Sequence, residues 1–147
     1  MRNDPRDPES WFDFAEEDLI RAYKRFADLD TRDCLVHLQQ CAEKAMKGRL
    51  IALGWPLQKT HNLAALLKDL KARQFDFGWY VETADVLTTE YVADRYPGFD
   101  DAPPQPDELR GFIGDTTKLF ENLTGRKYAG PATVAWLFNS MFRSMQT

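Results

Sequence analysis

Five polar side chains, Asp33, His37, Gln40, Lys44 and Lys47, recur at alternating intervals of four and three residues. On a helix that spacing gathers them into one stripe. It lies opposite an apolar stripe of Leu35, Leu38, Ala42, Ala45 and Leu53, with Cys34 and Cys41 at its edge. Glu43 is the neighbour of the polar stripe. Two readings fit: a solvated face laced by pairs such as Glu43–Lys47, or a nucleotide or RNA surface supplied by Lys44, Lys47 and His37. Arg49 falls inside the apolar arc, so it either snorkels past the helix end or projects into a cleft.

Two further places carry chemistry. Lys59-Thr60-His61-Asn62 brings a cation, a hydroxyl and an imidazole to a helix start. The same residues suit a cap for free backbone N–H groups or a site for an anion. Arg95 extends the stripe Tyr80, Ala84, Leu87, Tyr91, so its guanidinium is expected in a groove or at a partner, with Tyr96 next to it. It either makes a salt bridge to Asp94, Asp100 or Asp101, or grips a phosphate with paired hydrogen bonds. Consecutive acids in a proline-rich loop make a poor metal site, and no cofactor is expected.

The elements that position these residues are helical throughout. A first helix opens at Pro8, Glu9 and Ser10 and buries Trp11, Ala15, Leu19, Ala22, Tyr23 and Phe26. Asp30 or Thr31 caps a second, from about Arg32 to Leu53, ended by Gly54, Trp55 and Pro56. A third carries Leu63, Leu66, Leu67 and Leu70, and a fourth runs from about Gly78 to Asp94. After the loop Gly98–Pro106, a fifth runs from about Asp107 to Leu123, and Pro131 opens a terminal helix. The expectation is one all-α domain, an antiparallel up-and-down bundle of four to five helices. Its core spans residues 9–124, and a C-terminal helix is appended over residues 131–146.

Composition narrows the classes. The chain has 147 residues, 44% hydrophobic and 29% charged, which is ordinary for one globular domain. A net charge of −4 argues against a strong, non-specific polyanion binder and leaves room for a local basic patch. No apolar run approaches a membrane span, and the polar N-terminus does not read as a signal peptide, so a cytoplasmic protein is expected. Cys34 and Cys41 on one helix lie about 10 Å apart, too far for a disulfide, and are expected as buried free thiols.

Three segments carry a family resemblance. His37-Leu38-Gln39-Gln40-Cys41-Ala42-Glu43-Lys44-Ala45-Met46-Lys47 resembles an H-x-Q-Q-A-A-E-K-A-x-K signature, and Lys59-Thr60-His61-Asn62-Leu63 resembles K-T-H-D-L. Asp94-Arg95-Tyr96-Pro97 resembles the R-Y-P that closes a long helix. In this order and separation they resemble the HEPN family, small helical bundles associated with nucleotides and RNA. The resemblance covers about Trp11 to Leu123.

The resemblance implies a homodimer. Many members are toxins encoded beside a minimal nucleotidyltransferase, and many of those are metal-independent ribonucleases. Their R-x(4–6)-H site begins at the arginine matching Arg95. Here residues 96–103 contain no histidine, and Asp100 and Asp101 occupy that region. An exposed aspartate is already ionised and moves protons poorly near neutrality, where histidine serves best. A literal R-x4-H, Arg32 to His37, lies on the second helix and outside the family's position.

The expectation is therefore a nucleotide- or RNA-binding homodimer without efficient ribonuclease activity, working beside a small nucleotidyltransferase. The alternatives are a ribonuclease toxin with a remodelled site, using Arg95 with His61 or His37, and a structural interaction module. In the last, the helix with Trp136, Phe138, Met141 and Phe142 docks on a partner.

Overall fold

The computed structural model describes residues 3–95, 104–128 and 130, with residues 90–95 by backbone only. Tyr96, Asp100, Asp101 and the expected C-terminal helix lie outside the described residues. The elements are α1 (Pro8–Ala27), α2 (Thr31–Ala52), α3 (Leu63–Lys71), a 3₁₀ turn (Gly78–Tyr80), α4 (Val81–Arg95) and α5 (Pro106–Thr124). All of them are helical, as the periodicity predicts.

Local chemistry sets their ends. Asp7 accepts from the Glu9 N–H ahead of α1, Asp30 from Asp33 ahead of α2, and Asn62 from Ala64 and Ala65 ahead of α3. Pro106 opens α5, where Gln105 and Glu108 form a capping box. At the end of α2 the Trp55 N–H reaches Leu50 O and the Gly54 N–H reaches Ile51 O. That closure needs Gly54 at φ +89°. α1 ends with the same pair of bonds, but there Leu29 takes the left-handed position at φ +61°.

Side-chain contacts give the directions. Gly48 meets Phe12 and Trp11 at one end of α1 and α2, and Arg25 meets Asp33 at the other, so these helices are antiparallel. Gln39 donates to His61 O while Arg73 lies over Trp55, so α3 runs the same way as α2. The extended return over residues 55–62 makes this possible. Tyr80 bonds Thr116, Thr83 bonds Asp115, and Arg49 reaches Leu123 O. Hence α4 is antiparallel to α5, and α5 is parallel to α2. The four long helices alternate up and down, and α3 departs from that rule.

The core differs from the sequence reading at particular places. On α1 Phe12 is buried, whereas the Trp11 indole N–H donates to Pro5 O at 2.9 Å. Leu53, expected inside, is exposed. The larger difference is α2. It touches α1, α3, α4 and α5, so little of it is left to solvent. Its supposedly outward polar stripe is largely covered, and Gln39, Glu43 and Lys47 are buried. Cys34 and Cys41 are buried free thiols, and burial pushes the Cys34 thiol up to about 12.

Candidate functional site

The polar residues of α2 form two carboxylate-centred clusters. The first is built around Asp18 of α1, which is only 3% exposed. His37 Nδ1 lies 2.9 Å from Asp18 Oδ1, and Lys44 Nζ lies 2.5 Å from Oδ2. Burial opposes ionisation of Asp18, but the hydrogen bonds from His37 and Lys44 together outweigh it. Its carboxyl stays below the ordinary range. The other ring nitrogen of His37 lies 3.5 Å from Asp33, which also accepts from Arg25 Nε at 2.7 Å. A string of ion pairs and hydrogen bonds thus ties α1 to the first half of α2.

The second cluster surrounds Glu43. Its Oε2 accepts from Lys47 Nζ at 3.0 Å, and both groups are buried. Its Oε1 lies 2.9 Å from His61 Nδ1 and 3.2 Å from Gln39 Nε2. Gln40 in turn donates to Gln39 Oε1 at 2.7 Å, which continues the chain of polar contacts. The Glu43–Lys47 pair expected from the spacing is present, but it is an interior pair. It pins the start of α3 against α2 through His61, whose side chain is 64% exposed. A carboxylate on Nδ1 fixes the imidazole's tautomer and orientation.

The remaining expected residues fall in different places. Arg49 neither snorkels nor lines a cleft. Its Nε and Nη2 donate to Leu123 O at 2.8 and 2.6 Å, with the guanidinium near the Phe12 and Phe75 rings. A carbonyl in the last turn of α5 lacks a helical partner, and a cation there also suits the helix dipole. Lys59 is exposed on the return segment, and the cap of α3 is Asn62. Arg95 is the last residue of α4, known here by its backbone, and Tyr96 lies outside the described residues.

α4 begins beside the middle of α3, with Val81 lining the same groove as Ala64 and Leu67, and its fifteen residues carry Arg95 roughly 20 Å from that start. Lys44 and His37 converge on Asp18.

Asp18 is the residue that sequence reasoning passed over. Its signal was present: an acid set between Ala15, Leu19 and Ala22, inside the apolar arc of α1. A carboxylate there demands cations from the facing helix, and α2 supplies them.

No helix among the described residues is long and apolar enough to cross a membrane. No curated protein and no solved structure matches the chain. The family model of the HEPN domain matches residues 8–126. With that match running from the first residue of α1 to just past the end of α5, the chain belongs to the HEPN domain family.

Proposed function

We propose that this chain is a nucleotide- or RNA-binding homodimer that acts beside a minimal nucleotidyltransferase and lacks efficient ribonuclease activity. HEPN domains commonly dimerise and bind RNA, which supports the first half of that reading. The observation that carries the second half is the engagement of the histidines. The chain has two, and each sets its Nδ1 against a buried carboxylate, Asp18 of α1 or Glu43 of α2. Neither follows Arg95 in the chain, where the ribonuclease members of the family carry theirs. An arginine can stabilise a crowded phosphate, but cleavage without a metal also needs a group that moves a proton near neutral pH.

Isothermal titration with ATP, other nucleotides and short RNA tests this reading. Saturable binding of at least one is expected. No binding of any, with or without a co-purified partner, would refute it. A reading frame for a small nucleotidyltransferase next to this one is expected as well.

One observation favours a second reading, a ribonuclease with a remodelled site. His61 combines a buried carboxylate on Nδ1 with a largely exposed ring, the arrangement of an oriented general base. It would act with Arg95, of the same chain or of a second copy. Expression would then arrest growth, and both Arg95→Ala and His61→Ala would relieve the arrest. Harmless overexpression would count against it.

A further inference from the structure

We propose that the groove between α3 and the 3₁₀ turn, together with Trp79 and Lys118, is a docking site for single-stranded RNA. It is separate from the end of α4 where Arg95 sits, and it rests on the RNA-binding reading above. The floor is apolar, made by Leu67, Phe77 and Val81, and the rim carries Lys68 and Lys71. These lysines are exposed and one turn apart on the same face of α3. Ammonium groups at that separation match successive phosphates along an extended strand.

Aromatic surface adjoins the cations. Trp79 is 41% exposed and packs edge-on against Phe77, with ring centres 6.0 Å apart. Lys118 Nζ of α5 sits 4.4 Å from the centre of the Trp79 ring. A flexible ammonium held over an indole is easily drawn to a phosphate, and its departure opens the ring face to a base. The one acidic side chain in the groove lining, Asp76, turns its Oδ1 to the Gly78 N–H at 3.0 Å. In a chain of net charge −4, the groove lining sets two lysines against one carboxylate already bonded to backbone, and Lys118 adds a third ammonium beside Trp79. An anionic chain that also carries flat rings satisfies both halves of the surface, whereas an acidic peptide satisfies only the lysines.

The test is the fluorescence anisotropy of an end-labelled oligouridylate of about twelve residues, with the full chain titrated into it at several salt concentrations. Lys68→Ala with Lys71→Ala should weaken binding and lower the slope of log affinity against log salt by about 1.4, or about 0.7 per lost phosphate contact. Trp79→Ala should weaken binding about tenfold, and Trp79→Phe should recover part of the loss. The three residues are exposed, and unchanged thermal unfolding serves as the fold control. Wild-type binding that survives these changes with its salt slope intact overturns the groove and leaves the broader reading standing. No binding of the oligonucleotide by the wild type, but binding of nucleotides, overturns the groove and the RNA half of that reading. Equal affinity for polyglutamate, lost in the same variants, would assign the surface to an acidic protein instead and overturn the proposal.

Discussion

Replacing Asp18 by asparagine removes one charge from a nearly isosteric group and leaves the Lys44 ammonium and the His37 ring facing it. Breaking a fully buried ion pair from one side costs about 3–5 kcal/mol. Here Lys44 and His37 keep 25% and 19% of their side chains in water, which relieves part of that cost, and asparagine retains one acceptor oxygen. The expected loss is therefore about 2 kcal/mol, or roughly 4–8 °C in Tm for a chain of this length. Thermal unfolding followed by circular dichroism at pH 7 measures it.

The pH dependence supplies the sharper check. Because the folded carboxyl is held below its ordinary value of 3.8, its contribution is complete above that pH. It fades as the pH falls through the lower, folded value. The wild type and Asp18→Asn should thus converge in strong acid. A variant within a degree of wild type at pH 7, or a gap that persists undiminished in acid, would refute the electrostatic account of the α1–α2 contact.

Three other perturbations follow from the backbone and its closest approaches. At Gly48 a Cβ would stand 2.7 Å from the Phe12 ring and 2.9 Å from Trp11 Cβ. Gly48→Ala should therefore cost about 1–3 kcal/mol in denaturant unfolding, despite alanine's better helix propensity. Leu29 is 83% exposed and left-handed at φ +61°, so Leu29→Gly loses little packing and should raise stability by about 0.5–1 kcal/mol. Arg49→Met leaves the Leu123 carbonyl without either of its two donors and should cost about 1–3 kcal/mol, with the end of α5 losing protection in hydrogen exchange.

The fold was legible because its signals are local. Asp7, Asp30 and Asn62 bond the free N–H groups next to them, Pro106 begins a helix, and Gly54 takes a positive φ. Each acts within a few residues, so one sequence suffices to find the helix. What periodicity does not convey is how many neighbours a helix has. A stripe of Asp33, His37, Gln40, Lys44 and Lys47 looks like a surface on the assumption that the far side of α2 faces water. α1 and the start of α3 lie across it instead. The same blindness misplaced Arg49, whose partner Leu123 is 74 residues away in the chain.

The site was half legible for the same reason. The segments that carry the family resemblance bring together His37, Gln39, Glu43, Lys44, Lys47 and His61, and in the folded chain these residues bond mainly to one another and to Asp18. A spaced set of histidines, lysines and acids signals chemistry and internal wiring alike, because both need charged groups at fixed distances. The partner distinguishes them. A cation facing an open groove, as Lys68 and Lys71 do, is available to a ligand, while one held by a buried carboxylate is already neutralised. By that criterion Lys47 belongs to the scaffold and Lys44 is largely committed to it. The proposed RNA contact accordingly uses cations outside the signature of α2, Lys68 and Lys71 at the rim of α3.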